Sequence, residues 1–244
     1  MVKNPVWDLP TRFIHWCLPV GIGLLWWTGE TGRMEWHSYV GYTLVVLVAT
    51  RFVWGFVGSF HSRFRNFVRG PSVVLSYVTG GATDSPATAG ARVTSARSDS
   101  AKNLGSERAA ASVGHNPLGA YSTLALLTVL LLQGVSGMFS IDDVTFEGPL
   151  AYYFEGNYID VASQWHDIGW QVLQVLIALH LLAIAWYQFK RGHPLVQTMW
   201  FGSRPGRESE HTPVGIGRAI VGVTVFIAVL ATAINFAPEA PSYY

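Results

Sequence analysis

Five long apolar runs, separated by polar segments, dominate the hydropathy pattern of the chain. They lie at about residues 13–28, 37–57, 117–139, 162–189 and 214–236. A helix needs roughly 20 apolar residues to cross the hydrocarbon core of a bilayer. The first run is shorter, so we expect its flanking tryptophans to support it at the membrane interface. The pattern predicts an all-α integral membrane protein, with half of its 244 residues hydrophobic and 13% charged.

The polar segments between the runs differ in kind. Residues 80–113 are mostly Ala, Ser, Thr and Gly with scattered charges, a composition that predicts a flexible loop. Residues 58–69 interleave aromatic and basic side chains, which predicts an amphipathic segment at a membrane surface. We divide the chain into a transmembrane domain, residues 1–204, and a C-terminal region, residues 205–244, that carries the fifth run.

The distribution of charge predicts the orientation. If the N-terminus is cytoplasmic, fifteen of the sixteen Lys and Arg residues lie inside and only Arg33 lies outside. Basic residues near the ends of spans remain on the cytoplasmic side. With five spans the C-terminus is then periplasmic. No small-residue cleavage site follows the first run, so we interpret it as a retained span rather than a signal peptide.

Four histidines occur at matched depths in this topology. His166 and His180 are fourteen residues apart on the fourth run, which is nearly four helical turns, so both leave one face roughly 21 Å apart. His15 begins the first span at the inner surface, and His37 begins the second at the outer surface. Depth therefore pairs His15 with His180 and His37 with His166.

Each pair comes from two helices and suits the two faces of a haem iron. Cys17 is the single cysteine and no Cys-x-x-Cys-His motif exists, so any haem is non-covalent and b-type. An iron with two histidine ligands is suited to electron transfer. Zinc or copper is the alternative, but each pair supplies only two of four tetrahedral ligands. Glycines in the spans are further places where a backbone can approach a flat macrocycle: Gly21, Gly41, Gly134 and Gly169.

Two arginines are candidates to bind haem propionates. Arg12 lies one turn before His15, and Arg51 lies fourteen residues after His37, on the same helical face at the inner level. Arg51 is the better candidate, with a snorkelling arginine at a helix end as the alternative. His115, at the inner end of the third span, is a candidate for quinone or propionate chemistry or an ordinary interfacial residue. The remaining histidines lie in basic loops and are predicted to be solvated: His61, His193 and His211.

Several motifs resemble the bacterial cytochrome b561 and nickel–iron hydrogenase b-type cytochrome family. Besides the His166 to His180 interval, they are Trp7-Asp8-x-Pro-Thr-Arg12-x-x-His15-Trp16, His37-x-x-x-Gly41-Tyr42, Arg51-Phe-Val-Trp-Gly-Phe-Val-Gly58, Phe64-x-x-Phe-Val-Arg-Gly-Pro71, Gly114-His115-Asn-Pro-Leu-Gly119 and Met199-x-x-Gly202. The resemblance implies a four-helix bundle with two b haems held by His15, His37, His166 and His180. It also implies quinone exchange and a periplasmic redox partner. The fifth span and the loop at 80–113 depart from the pattern.

These observations predict an electron-transfer subunit of an oxidoreductase complex in the inner membrane of a bacterium. It would exchange electrons between the quinone pool and a periplasmic c-type cytochrome, iron–sulfur subunit or hydrogenase subunit. We do not expect a nucleic-acid partner. The alternative is a non-redox membrane anchor or assembly subunit whose histidines are structural. The outer side carries nine acidic residues against Arg33, which predicts a basic docking partner. The alternative is that these acidic residues only mirror the excess of basic residues on the inner side and attract no partner.

Overall fold

The computed structural model describes residues 3–68, 117–141, 146–153, 157–205 and 215–238, and these are mainly helical. The long helices are α1 (Leu9–Glu30), α2 (Met34–Val57), α4 (Pro117–Phe139), α5 (Tyr158–Ala185) and α7 (Gly217–Asn235). The short ones are α3 (Phe64–Phe67) and α6 (Leu195–Phe201), and a π-helical turn, Trp186–Lys190, continues α5. Single 3-10 turns cover Phe60–Ser62 and Ala151–Tyr153, and strands β1 (Lys3–Pro5) and β2 (Ser203–Pro205) form an antiparallel pair.

The five predicted apolar runs are all helical, and four of them are long and apolar enough to cross a membrane. These four are Met34–Val57, Gly119–Phe139, Tyr158–Lys190 and Gly217–Asn235. Helix α1 has 22 residues but is not among them. Its hydropathy is lowered by Arg12, His15, Pro19 and three tryptophans. The helix in the first run is therefore confirmed, and its passage through the membrane remains a prediction.

The long helices form two antiparallel hairpins that lie side by side. Helix α1 packs along α2, and α4 packs along α5. Contact between α2 and α4 joins the hairpins, and α7 packs on α2. Among the described residues, α5 makes at most slight main-chain contact with α1 or α2. The helix that carries His166 and His180 thus approaches the two helices that carry His15 and His37 mainly through side chains.

The apolar core lies where α2 meets α3 and α4. Val48, Phe64, Ala120 and Leu127 form a buried cluster there. Gly55 allows the Phe64 ring to lie directly against the α2 backbone, because a Cβ at position 55 would overlap that ring. The segment at 58–69 was predicted to lie at a membrane surface. Phe64 faces the protein core, whereas Arg65 on the next position is exposed, and the location of the segment at a membrane surface remains a prediction.

Local signals account for the ends of α1. Asp8 is the N-cap and accepts a hydrogen bond from the Thr11 amide at 2.9 Å, and Pro10 follows in the first turn, where its missing N–H costs nothing. After α1 the chain reverses through Gly32, whose φ of 65° is a left-handed conformation that glycine adopts without strain. Helix α2 begins two residues later. The predicted flexible loop, residues 80–113, lies outside the described residues.

Candidate functional site

The outer pair of histidines is brought together between α2 and α5. The centroids of the His37 and His166 rings are 6.2 Å apart, and the ring planes are inclined at 72°. This is the pair that depth alone predicted. Both side chains are half-buried, and each ring lies beside a glycine of a neighbouring helix, Gly29 for His37 and Gly137 for His166.

Hydrogen bonds to main-chain carbonyls hold both outer rings. His37 Nδ1 lies 3.0 Å from the Leu25 carbonyl oxygen, and His166 Nδ1 lies 2.9 Å from the Gln133 carbonyl oxygen. A carbonyl oxygen only accepts, so each Nδ1 carries the proton. Each Nε2 is therefore the ring nitrogen with a free lone pair, as an iron ligand requires.

The inner pair is held differently. His15 on α1 is close enough to His180 on α5 and to Arg51 on α2 for electrostatic interaction with both. His15 Nδ1 is buried and has no hydrogen-bond partner, and the same is true of the indole nitrogen of the adjacent Trp16. The Trp16 ring lies edge-on to His15 and also to Trp200 of α6, with centroids 5.1 Å apart in both cases. Two neighbouring buried atoms at this level, His15 Nδ1 and Trp16 Nε1, therefore have no hydrogen-bond partner.

Arg51 is a buried cation beside the inner pair. Its side chain is 5% exposed, and one guanidinium nitrogen donates to the Ser62 carbonyl at 3.4 Å. The guanidinium carbon lies 5.4 Å from the centre of the Phe64 ring, within the range of a cation–π interaction. A buried charge needs compensation, and Asp8 provides an electrostatic partner of opposite sign.

Asp8 is the centre of a polar network that was not predicted as part of the site. One carboxylate oxygen, Oδ2, accepts from Trp54 Nε1 and from Ser62 Oγ, both at 2.8 Å. Burial alone would raise the pKa of Asp8, but hydrogen bonds from Ser59, Thr11 and Trp54 hold it below its usual value. The network joins the start of α1 to the end of α2, next to Arg51. Its sequence signal was Asp8 two residues before Pro10, which marks a helix cap and nothing more.

Arg12 joins α1 to the end of α6. Its Nε donates to the Met199 carbonyl at 3.2 Å, and its Nη2 donates to the Trp200 carbonyl. These are carbonyls of the last turn of α6, which a cation stabilises. Gly202 ends that helix with a φ of 75°. Arg12 thus binds the α6 terminus, and the predicted contact of Arg12 or Arg51 with a haem propionate remains a prediction. His115 and His211 lie outside the described residues, and His193 is exposed beside Tyr187.

The spacing of the outer pair fits a haem iron between the rings. Two metal–imidazole bonds of about 2.0–2.1 Å, together with two ring radii of about 1.1 Å, separate ring centroids by roughly 6 Å. Among the described residues, no group of three or more His, Cys, Asp or Glu could hold a metal ion. In the described part of the chain the candidate ligands therefore occur in pairs, the number that bis-histidine haem ligation requires.

Three of the four glycines predicted to approach a macrocycle lie against side chains of neighbouring helices. A Cβ on Gly21 would meet Leu44, one on Gly134 would meet Val45, and one on Gly169 would meet Gln133. These are side chains of adjacent helices, so the three glycines permit close helix packing. The glycines that contact the histidine rings, Gly29 and Gly137, were not singled out.

Apolar helices with histidine pairs between them are the arrangement expected of a membrane b-type cytochrome. The family model described as prokaryotic cytochrome b561 matches residues 6–202. The chain belongs to this family, which supports binding of b-type haem and a role in electron transfer within a membrane. No curated protein and no solved structure gives a significant match. The family match ends at Gly202, which closes α6 beside Arg12, whereas α7 lies beyond it.

Proposed function

We propose that the chain is a di-haem b-type cytochrome that transfers electrons between the quinone pool and a periplasmic redox partner. The observation that supports it most strongly is the 6.2 Å separation of the His37 and His166 rings, with each Nδ1 committed to a carbonyl. His15 on α1 and His180 on α5 provide a second pair, near the opposite end of α5 from His166. When bound, two b haems supply one-electron redox centres at two depths.

The residues around the two pairs have separate tasks in this proposal. His37 and His166 hold the outer haem, and His15 and His180 hold the inner one. Arg51 compensates the negative charge of an inner propionate, since its guanidinium is buried beside His15. His115 is proposed to contribute to quinone exchange at the inner end, because it lies two residues before the start of α4 in the sequence.

The proposed topology places all five long helices in the inner membrane, with a cytoplasmic N-terminus and a periplasmic C-terminus. Helix α1 is the least apolar of them, and its neighbours explain how it can cross. Its polar groups Thr11 and Thr28 are buried and hydrogen-bonded within the protein rather than exposed to lipid. Its lipid-compatible positions include the exposed Phe13, Val20 and Leu24.

A reduced-minus-oxidised absorbance spectrum of the purified protein, with the haem-to-protein ratio, tests this function. We expect the absorbance of haem b and about two haems per chain. Protein that is folded in detergent but lacks haem absorbance would support the non-redox anchor instead. A ratio near one would retain the cytochrome and exclude the second site.

The partner is proposed to be a redox protein with a basic surface that docks at the outer end of the bundle. Glu30, Glu35, Glu147 and Asp160 are exposed there, at the end of α1, the start of α2, the turn after α4 and the start of α5. Arg33, the opposing cation, lies 4.9 Å from the centre of the Trp27 ring. Complementary charge chiefly accelerates encounter between partners.

Electron exchange with a basic c-type cytochrome should therefore slow as salt rises above roughly 0.15 M, where the Debye length is about 8 Å. Replacing Asp142, Asp143 and Glu147 together by their amides should slow the low-salt rate by about tenfold or more. The matched control replaces three acidic residues of the predicted inner side, Asp99, Glu107 and Glu208, and should leave the rate unchanged. Stopped-flow absorbance measures both. A rate independent of salt and of the outer charges would rule out the docking surface and leave the haem sites unaffected.

A further inference from the structure

Each outer histidine contacts the same arrangement of residues on a neighbouring helix, α1 for His37 and α4 for His166. On α1 the Leu25 carbonyl accepts from His37, Thr28 follows three residues later, and Gly29 comes next. On α4 the Gln133 carbonyl accepts from His166, and Ser136 and Gly137 stand at the same spacings. The chain thus repeats one unit, a carbonyl acceptor, a hydroxyl at the third position after it and a glycine at the fourth. We call the Leu25–Gly29 and Gln133–Gly137 segments the two histidine cradles.

The hydroxyl in each cradle is a second acceptor for the histidine. Thr28 Oγ1 donates its own hydrogen to the Leu24 carbonyl at 2.7 Å, which leaves its lone pairs for His37 Nδ1 at 3.3 Å. Ser136 Oγ donates to the Gln133 carbonyl at 3.0 Å and lies 3.4 Å from His166 Nδ1. Both Nδ1–H groups therefore point at two acceptors each.

The glycine in each cradle lies beside the histidine ring, and on α4 the lack of a Cβ is what permits the approach. A Cβ on Gly29 would lie 3.5 Å from the His37 ring, and one on Gly137 would lie 2.7 Å from His166 Cε1. Gln133 adds a contact that has no counterpart on α1, because its side-chain amide donates to the His166 carbonyl at 2.8 Å. His166 is thus held at its ring and at its main chain by one residue.

The inner site has the opposite surroundings. His15 Nδ1 is buried without any acceptor, and the nearby charge is the guanidinium of Arg51, which is 5% exposed. Donation from Nδ1–H to a carbonyl makes an imidazole a stronger electron donor to a metal. A stronger donor stabilises ferric iron, whereas a buried positive charge stabilises ferrous iron, since the ferrous centre carries one positive charge fewer.

We propose that the two histidine cradles orient His37 and His166 and set the midpoint potential of the outer haem below that of the inner haem. Thr28 and Ser136 are positioning residues in this scheme, acting on the iron through the imidazoles. The proposal rests on the proposed function, because it requires haem at both sites. It adds which of the two sites is the stronger reductant and which residues decide it.

Potentiometric titration of single-haem variants tests the order of the potentials. His15→Ala leaves the outer haem alone, and His166→Ala leaves the inner haem alone. We expect the midpoint in His15→Ala to be the more negative of the two. Equal midpoints, or the reverse order, would overturn the proposal. Absence of haem from the unmodified protein would instead overturn the proposed function, so the two failures are distinguishable.

Removal of the hydroxyls tests the cradles themselves. In otherwise unmodified protein, Thr28→Val together with Ser136→Ala should raise the lower midpoint potential, that of the outer haem. The higher potential, that of the inner haem, should not change. The expected change is about tenfold in the ferrous-to-ferric ratio at a given ambient potential, which is about 59 mV for a one-electron couple. The control is Thr123→Val, whose hydroxyl bonds the Gly119 carbonyl near the start of α4, away from the outer histidines. It should move neither midpoint.

A lower midpoint that does not move in the double variant would contradict the role of Thr28 and Ser136. If the double variant binds no outer haem, the hydroxyls are shown to be required for positioning, and the order of potentials is still decided by the single-haem variants. Arg51→Gln provides an independent arm, because loss of the buried cation should lower the inner midpoint. Arg51→Lys retains the positive charge, so the inner midpoint potential should stay close to that of the unmodified protein. A more positive inner midpoint in Arg51→Gln would overturn the assignment of Arg51.

Discussion

Alanine at His37 or at His166 should remove about half of the bound haem, and alanine at His15 or His180 should remove the other half. Each pair lies on opposite sides of one proposed iron, so either member of a pair should affect the same centre. The remaining centre should keep its midpoint potential within a small shift, because the pairs are roughly 21 Å apart along α5. Reduced-minus-oxidised spectra, haem quantification and redox titration of the four variants measure this.

His193→Ala is the control for these substitutions. His193 is exposed beside Tyr187, beyond the end of α5, and its loss should leave both haems. The pairing would be refuted if His15→Ala and His166→Ala removed the same haem signal while His180→Ala preserved it. Partial retention of haem by a single histidine is recognised by a changed midpoint, so stoichiometry and potential are measured together.

Gly137→Ala should impair the outer haem site, whereas Gly29→Ala should be tolerated. A Cβ on Gly137 would lie 2.7 Å from His166 Cε1 and 3.0 Å from Nδ1, so the ring must leave the Gln133 carbonyl or the helices must separate. Overpacking of this kind costs roughly 1–3 kcal/mol, which is about a fivefold to 140-fold loss of haem affinity if it falls on the bound geometry. At Gly29 the nearest ring atoms are 3.5 Å away, an ordinary van der Waals contact.

The two alanine variants form a matched pair, because both add one methyl group beside an outer ligand. Haem retention after washing with apo-myoglobin as a haem acceptor compares their affinities. Gly137→Ala should release one haem of two, and Gly29→Ala should retain both. If both variants lose the outer haem, the site around Gly29 on α1 tolerates an added methyl group less well than the 3.5 Å distance indicates. If neither does, contact between Gly137 and His166 does not position the ligand.

The depth of the histidines could be predicted because helical geometry is regular. His166 and His180 share one face of α5 for no other reason than their separation of fourteen residues at 3.6 residues per turn. Counting spans then placed His37 at the level of His166, and the structure brings these two rings together. All five apolar runs are helices, because each apolar run must satisfy its backbone hydrogen bonds within itself.

The hydrogen-bond partners of those histidines could not be predicted in the same way. The acceptors for His37 and His166 are main-chain carbonyls of Leu25 and Gln133, and every residue has such a carbonyl. Only the packing of α1 on α2 and of α4 on α5 selects which one faces the ring. The one available signal was the repeated hydroxyl–glycine pair, Thr28-Gly29 and Ser136-Gly137, at the ends of two spans.

Arg12 and Arg51 also show what sequence spacing can predict and what it cannot. Sequence spacing put both near the inner histidines and favoured Arg51 as the propionate ligand, but it did not predict the contact of Arg12 with α6. The structure uses Arg12 to cap α6, 187 residues away in sequence, and buries Arg51 between Asp8 and His15. Contacts of such sequence separation depend on how the helices meet and leave no periodic trace in the chain.

The sequence by itself determined the helices, the family and the levels of the four histidines, because hydropathy and helical periodicity are local properties. The tertiary structure decided what surrounds each histidine: two acceptors for His37 and for His166, and an unpartnered Nδ1 with a nearby buried cation for His15. Hydrogen bonds and burial depend on atoms supplied by other helices. These surroundings set the chemical difference between two pairs of the same residue type.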